Sequence, residues 1–223
     1  MKPIIAIDGP AGAGKSTVSR RLAQALGLRY VDTGAMYRVV GVLADEQGVD
    51  LGDAPALAAL IDALDLRFEE GAGGGRVIAN GRDLSQAIRS AAAGQLASKV
   101  SVVPAVRERL VALQRAMSAG GGVVMEGRDI GTVVLPQATV KIYLVASPSE
   151  RARRRSAELA ARGERADVGQ VTREIEERDR RDQGRSHSPL RPADDALLID
   201  TSSEPIEAVV QRVRDVVAAR HKA

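Results

Sequence analysis

The chain has 223 residues, of which 44% are hydrophobic and 2% aromatic, and this composition predicts a globular protein with an aliphatic core. It contains no cysteine and two histidines, which excludes disulfides and cysteine-ligated zinc and argues against a Ser-His-Asp triad. The formal net charge is +3. No apolar run is long enough for a signal peptide or a membrane span, which favours a soluble, cytoplasmic protein.

The first predicted element is a short apolar strand at residues 3–8, which leads into a glycine-rich turn. Residues 15–26 follow with helical spacing and stop at Gly27. Similar short apolar runs recur at 28–32, 122–126, 140–146 and 196–200. Helical stretches separate most of these runs, so the fold class is α/β, with a mostly parallel sheet of five strands flanked by helices.

The turn after the first strand fits the pattern G-x-x-x-x-G-K-[ST]. Its glycines allow backbone N–H groups to converge on phosphate oxygens, and the following helix adds its positive N-terminal end. Lys15 would bridge the β- and γ-phosphates of a nucleoside triphosphate, and the Ser16 hydroxyl would bind Mg²⁺. The predicted ATP-binding residues are Gly9, Pro10, Ala11, Gly12, Ala13, Gly14, Lys15, Ser16 and Thr17.

Residues 66–84 interrupt the βαβ pattern. Two strand-like runs flank the glycine-rich residues 71–75, and Asn80-Gly81 is a strong hairpin signal. This segment predicts a small antiparallel insert.

The helix after residue 147 has a well-marked start. Ser147 is the predicted N-cap, Pro148 lies in the first turn, and Glu150 completes a capping box. Arg151, Arg154 and Arg155 then share one side of this helix. They form either a solvated basic face or a set of cations that faces phosphates.

A further helix is predicted from Pro205, with apolar residues on one face: Ile206, Val209, Val210, Val213 and Val217.

Two polar clusters follow predicted strands, DTGAMYR at 32–38 and EGRDIGT at 126–132. Each could be only a helix cap or a turn, but carboxyl ends of parallel strands share the edge where α/β sheets bind ligands. A second anion site beside the phosphate loop favours a kinase. A GTPase switch is disfavoured because the chain has no Asn-Lys-x-Asp motif. A basic nucleic-acid-binding protein is disfavoured because aromatic residues are scarce and acids are interleaved with the arginines.

Four motifs in this order resemble the bacterial type of cytidylate kinase, a nucleoside monophosphate kinase: GPAGAGKST, DTGAMYR, EGRDIGT and RDRRDQGRSHSPL. The resemblance implies a phosphate-loop kinase that transfers the γ-phosphate of ATP, with Mg²⁺, to CMP or dCMP. It also implies a core of residues 1–34, 102–147 and 186–223, a nucleoside-monophosphate-binding insert of about residues 35–101, and a helical lid of about residues 148–185. We expect a monomer with no nucleic-acid or membrane partner.

The same resemblance assigns roles to individual residues. Arg38, Arg128 and Arg185 would hold the acceptor phosphate, with Thr33 retaining a hydroxyl where some relatives have serine. Ser98, Arg107 and Asp129 would read cytosine, and Arg178 with Asp182 would approach the sugar and phosphate. The expected catalytic residues are Lys15, Arg128, Arg151, Arg154 and Arg155.

The chemistry of cytosine agrees with a carboxylate at Asp129, which can accept a hydrogen bond from the N4 amino group, whereas uracil would present an acceptor there. A kinase for a different nucleoside monophosphate is the nearest alternative.

The charged segment 175–190 is expected to divide by helical face. Arg178, Asp182 and Arg185 fall at i, i+4 and i+7 on one stripe, where Asp182 is expected to accept a sugar hydroxyl rather than neutralise an arginine. Glu176, Glu177, Asp179 and Arg180 are expected mostly to be solvated.

Overall fold

The computed structural model describes residues 2–69, 75–161, 163, 167–185 and 188–221. These residues divide into two compact units, which we call the sheet unit (residues 1–30 and 120–223) and the insert unit (residues 31–119). The predicted boundaries of core, insert and lid stay a prediction. The glycine-rich turn predicted at residues 71–75 lies outside the described residues except for Gly75.

The strands are, in chain order, β1 (Ile4–Asp8), β2 (Arg29–Asp32), β3 (Leu66–Glu69), β4 (Arg76–Ala79), β5 (Arg82–Asp83), β6 (Val123–Gly127), β7 (Val140–Val145) and β8 (Leu197–Asp200). The α-helices are α1 (Lys15–Leu26), α2 (Thr33–Glu46), α3 (Ala54–Asp62), α4 (Ala91–Val100), α5 (Pro104–Ser118), α6 (Pro148–Ala160), α7 (Val168–Gln183) and α8 (Ile206–His221). None of the helices within the described ranges is long and apolar enough to cross a membrane.

The predicted five-stranded sheet is confirmed, with the strand order β2-β6-β1-β7-β8. Strand β1 lies at its centre and pairs in parallel with β6 and β7, so that Asp8 lies opposite Gly127 on one side and Tyr143 on the other. Central strands of a parallel sheet are covered on both faces, which explains why their sequences are continuously apolar. The carboxyl ends of β1, β6 and β7 therefore meet at one edge.

Helices α1 and α8 pack on the sheet through aliphatic side chains. Val18 and Leu22 of α1 and Val209 and Val213 of α8 are fully buried in one cluster with the strands. The predicted apolar face of α8 is confirmed. Because the chain has one phenylalanine and no tryptophan, this core depends on close packing of many small branched side chains.

Helices α6 and α7 pack together through a small separate cluster, formed by Ala152, Leu159, Val171 and Ile175. The predicted N-cap of α6 is confirmed, since the Ser147 hydroxyl accepts from the Glu150 N–H at 3.3 Å. The capping box is wrong, because the Ser147 N–H donates to the Ser202 hydroxyl at 2.8 Å and the Glu150 carboxylate binds arginines of α6 instead. The prediction that Arg185 continues a stripe of α7 is wrong, because α7 ends at Gln183, with Gly184 as its C-cap.

The insert unit contains α2 to α5 and a three-stranded antiparallel sheet in the order β3-β4-β5. The predicted hairpin is confirmed: Asn80 and Gly81 have φ angles of 50° and 76° and join β4 to β5. Both positive angles suit the tight turn that matches the twist of the strands. Helix α2 carries apolar side chains on two sides, so it contributes to both apolar clusters of this unit.

Helices α2 and α4 approach each other closely at Gly41. A Cβ atom at this position would lie 2.7 Å from Leu96 Cβ and 3.0 Å from the Leu96 carbonyl carbon. Only glycine permits this approach without displacement of α4.

We expect Gly41→Ala to lower the free energy of unfolding by about 1–3 kcal/mol, because overpacking outweighs the better helix propensity of alanine. Urea unfolding measures the change. Gly120→Ala is the matched control, since a Cβ there meets nothing within 4 Å. A Gly41→Ala protein as stable as the parent would contradict the tight contact between α2 and α4.

Candidate active site

The phosphate loop (residues 9–16) connects the end of β1 to the start of α1, as the motif predicts. Gly9 has a φ of 146°, and a Cβ there would lie 2.1 Å from the Leu144 carbonyl oxygen. Gly12 has a φ of 77°, and its Cβ would lie 2.9 Å from Arg151 Cβ. The loop therefore requires glycine at both positions, because neighbouring chain lies directly against its backbone.

Four successive carbonyl oxygens of the loop, at residues 10–13, accept hydrogen bonds from side chains. Lys15 Nζ donates to the first at 2.6 Å, Arg151 Nη1 to the second at 3.1 Å, Arg154 Nη1 to the third at 3.4 Å and Thr201 Oγ1 to the fourth at 3.1 Å. Three of these donors come from distant parts of the chain. They hold the loop from outside in a fixed conformation, the condition for its N–H groups to bind an anion.

Lys15 is buried at the first position of α1. Burial, followed by the positive charge of Arg128, lowers the pKa of its ammonium group to about 7, although Glu126 and Asp8 act in the opposite direction. The loop therefore holds a lysine whose charge is costly without an anion. A bound phosphate would supply that missing negative charge.

Asp8 is a site residue that the sequence analysis did not single out. Its two carboxylate oxygens accept from the N–H groups of Ile130 and Gly131, both at 2.8 Å. These N–H groups begin a turn of π-helix at Ile130–Val134, directly after the buried Asp129. Burial raises the pKa of Asp8 to about 6, although both hydrogen bonds lower it. Asp8 thus ties the EGRDIGT segment to the end of β1.

A cluster of arginines surrounds the carboxylate of Asp182. Arg128 Nε lies 3.0 Å from Asp182 Oδ2, Arg178 Nε lies 4.0 Å from the same oxygen, and Arg185 donates to Oδ1. The Asp182 side chain is 1% exposed. Burial alone would raise its pKa, but the charges of Arg128, Arg185 and Arg178 hold the pKa below its ordinary value. Three arginines therefore share the one carboxylate of Asp182.

Two expectations for segment 175–190 are wrong. Asp182 was expected not to neutralise an arginine, yet it pairs with three. Asp179 was expected to be solvated, yet it is buried and pairs with Arg151. The apolar positions Val171 and Ile175 lead to Asp179 at a spacing of four residues, so helical spacing could have placed Asp179 on the buried side.

The three arginines of α6 have different surroundings. Arg151 is 7% exposed at its side chain, so it does not belong to a solvated basic face. Arg154 donates to Glu150 at 2.8 Å and to the Thr201 carbonyl at 2.5 Å. Arg155 pairs with Glu158 at 2.8 Å, one turn along the same helix. Thr201, which directly follows β8, is a second site residue that no sequence motif marked.

In the insert unit, Thr33 is buried at the start of α2, which the Asp32 carboxylate caps by accepting from the Ala35 N–H at 2.9 Å. The second Asp32 oxygen accepts from Arg38 Nη2 at 2.7 Å. One carboxylate therefore both starts the helix and orients Arg38. The sequence left open whether the DTGAMYR motif is only a helix cap. In the structure Asp32 is such a cap, and it also positions Arg38.

Ser98 and Arg107 lie on α4 and α5 of the insert unit, and both are buried. Ser101 links them, since its hydroxyl donates to the Ser98 carbonyl at 2.9 Å and its own carbonyl accepts from Arg107 Nη1 at 3.5 Å. The Arg107 guanidinium lies 5.9 Å from the centre of the Tyr37 ring, within the range of a cation–π interaction. Arg107 is thus held in place by neighbours within its own unit.

Oxygen donors suitable for Mg²⁺ are present near the phosphate loop. The Ser16 side chain is exposed in the first turn of α1, and Glu126 is buried at the end of β6, where it accepts from the Tyr30 hydroxyl. These two side chains fit an Mg²⁺ ion that arrives with a nucleotide, because such an ion keeps several waters, binds mainly to phosphates and needs few ligands from the protein. No group of three His, Asp or Glu residues in the described part of the chain forms a metal site of its own.

The family model described as cytidylate kinase matches residues 5–219. A cytidylate kinase from Pelotomaculum thermopropionicum is 57% identical over 97% of this chain and 96% of its own length. Another from Syntrophotalea carbinolica is 50% identical over 98% and 93%. The chain belongs to the cytidylate kinase family.

Solved structures with low sequence identity share the fold. A gluconokinase from Sinorhizobium meliloti has a TM-score of 0.50 and 15% identity, with 97% of this chain and 92% of that chain covered. An uncharacterised protein from Eubacterium ventriosum has a TM-score of 0.53 and 11% identity, with 97% and 99% covered. These likenesses concern the fold alone.

Nucleotide affinity should depend on the protonation of Lys15. Because a lysine with a pKa of about 7 is progressively neutral above that pH, we expect the Kd of ADP to rise by about tenfold between pH 7 and pH 8.5. Calorimetric titration measures this change. Lys15→Arg keeps its charge throughout and should give a flat profile, whatever its affinity. A flat profile in the parent protein would contradict the lowered pKa.

Proposed function

We propose that this chain transfers the γ-phosphate of ATP to CMP or dCMP, giving ADP and CDP or dCDP. One observation carries the proposal: within the sheet unit, the charges of Arg128 and Arg178 act on the buried lysine of the phosphate loop, and these two arginines share the single carboxylate of Asp182 with Arg185. A second phosphate group beside the triphosphate is the ligand that such a group of arginines suits.

The main barrier to this reaction is repulsion between two polyanions that must come into line. Lys15, Arg128, Arg178 and Arg185 would offset that repulsion. No general base is needed, because a nucleotide phosphate has its second pKa near 6 and is mostly dianionic at neutral pH. The scarcity of histidine therefore agrees with phosphoryl transfer.

The donor side would use the phosphate loop together with Thr17. Ser16 would hold the Mg²⁺ that accompanies ATP, and that ion would neutralise charge on the phosphate oxygens. Arg154 and Arg155 would add positive charge near the triphosphate and help to exclude water, which otherwise competes for the γ-phosphate.

The acceptor would be recognised by the residues assigned through the family resemblance. Thr33, Arg38 and Arg128 would bind its phosphate with Arg185, and Asp182 with Arg178 would face the sugar and phosphate. Ser98, Arg107 and Asp129 would read cytosine. The hydrogen bonds that orient Arg38 and Arg107 in the free protein support this proposal, because preorganised donors lose less entropy on binding. A monomeric state and a cytoplasmic location complete the proposal.

A coupled assay of ADP formation with CMP, dCMP, UMP, AMP and GMP tests the function. CMP and dCMP should have the highest kcat/KM. If another monophosphate led, the acceptor base would have to be reassigned. ADP formation independent of every monophosphate would contradict a nucleotide acceptor.

Asp129→Ala should mainly weaken the discrimination of CMP from UMP. Because the carboxylate accepts from cytosine N4 and repels uracil O4, we expect the ratio of the two kcat/KM values to fall by about tenfold or more. Asp129→Asn is a matched variant, because its amide N–H can donate a hydrogen bond to uracil O4. Equal losses with both nucleotides would show that Asp129 does not read the base.

A further inference from the structure

Arg151 contacts the phosphate loop through its backbone. Its Nη1 donates to the Ala11 carbonyl at 3.1 Å, and its Nε donates to the Ala146 carbonyl at 3.1 Å. Its Cβ lies 2.9 Å from the position that a Cβ atom on Gly12 would take. The guanidinium is therefore packed between the loop and the end of β7, and its hydrogen bond restrains the loop at Ala11.

Asp179 of α7 supplies the negative partner of this guanidinium. Its Oδ2 accepts from Arg151 Nη1 at 2.5 Å, from the same nitrogen that holds the Ala11 carbonyl. Both side chains are largely withdrawn from solvent, at 7% exposed for Arg151 and 12% for Asp179. Because solvent screens such a pair weakly, removal of the carboxylate leaves a buried cation with carbonyl partners only.

We infer that Asp179 is a positioning residue for donor-nucleotide binding, which acts through Arg151 to hold the phosphate loop in its binding conformation. The substrate would not contact Asp179. The carboxylate orients the guanidinium, and the guanidinium fixes the Ala11 carbonyl and with it the peptide planes of the loop. This inference concerns the phosphate loop of the proposed kinase and rests on that function for its kinetic readout.

The packing of α6 on α7 does not depend on this ion pair. A separate apolar cluster joins the two helices, formed by Ala152, Leu159, Val171 and Ile175. Asp179 lies beyond this cluster, one turn before Asp182. Helix α7 therefore presents two buried carboxylates in succession: Asp179 pairs with Arg151 beside the phosphate loop, and Asp182 pairs with the cluster of arginines described above.

The surroundings of the second Asp179 oxygen allow two substitutions to separate the effect of the negative charge from the effect of the hydrogen bond to Arg151. Within the described chain, Oδ1 is buried and has no hydrogen-bond partner. In Asp179→Asn the amide can turn so that its oxygen faces Arg151, which preserves the acceptor and removes only the charge. Asp179→Ala removes both.

The test combines these two variants with Arg151→Met and the double variant Asp179→Ala/Arg151→Met. ADP binding is measured by calorimetry, and kcat and KM are measured separately for ATP and CMP. We expect Asp179→Ala to raise the Kd of ADP and the KM of ATP by about tenfold and to change the KM of CMP less than twofold. Asp179→Asn should lie between the parent and Asp179→Ala.

The double variant decides whether Asp179 acts through Arg151. If it does, the double variant should bind ADP about as weakly as Arg151→Met alone, because the second change removes nothing further. Glu176→Ala is the matched control, an exposed carboxylate on the same helix, and its Kd for ADP should equal that of the parent.

Additive losses in the double variant would overturn the inference, as would unchanged ADP affinity in Asp179→Ala. A variant that only melts at a lower temperature, with Kd and KM values like the parent, would assign Asp179 to stability alone. If Asp179→Ala fails to fold, Asp179→Asn carries the same comparison. ADP binding needs no acceptor, so a parent protein inactive on CMP would refute the proposed function and leave this test intact.

Discussion

The arrangement of the sheet unit depends on how it offsets the repulsion between several positive side chains that lie close together and are largely withdrawn from water. The positive side chains of Lys15, Arg128, Arg151, Arg178 and Arg185 all occupy the region where the carboxyl ends of β1, β6 and β7 meet, and buried carboxylates lie among them. Two of these carboxylates serve more than one purpose. Asp182 restrains three arginines, while Asp8 organises backbone N–H groups and favours the charge of the neighbouring lysine. Like charges held apart by shared anions form a site that is prepared for phosphate.

The phosphate loop adds a second constraint, since a loop that directs N–H groups towards a ligand must also satisfy its carbonyls. Lys15, Arg151, Arg154 and Thr201 do this one carbonyl at a time. The resulting loop is restrained because its carbonyl oxygens bind side chains from three places in the fold, namely α1, α6 and the residue that follows β8. Catalysis by positioned charge benefits from this rigidity, because donors that are already oriented need not reorganise as the reaction proceeds.

Much of the fold could be predicted from local patterns. Short apolar runs between helices indicated the parallel sheet, Asn80-Gly81 indicated the hairpin, and Ser147 to Glu150 indicated the start of α6. The phosphate loop could be recognised because the spacing of its glycines is visible in the sequence. The structure gives the steric reason for one of them, since a side chain on Gly9 would collide with the Leu144 carbonyl.

The contacts of Asp179, Asp182 and Thr201 could not be predicted in the same way. A charged residue on an amphipathic helix has the same sequence signature whether water or a distant guanidinium surrounds it, and Arg151 lies 28 residues from Asp179 in the chain. Thr201 lies 188 residues from the carbonyl that accepts its hydroxyl proton. Such partners are set by the packing of whole elements, which local periodicity does not record.

The central position of β1 has a consequence for how the protein acquires its structure. β1 ends at Asp8, yet its two neighbours in the sheet begin at Val123 and Val140. Loop closure over more than a hundred residues must precede the first native pairing of this strand, and contacts so distant in sequence form slowly. Until then β1 is an apolar segment without its sheet, so the strand that leads into the phosphate loop is exposed to misfolding and association while the chain between it and β6 is being made.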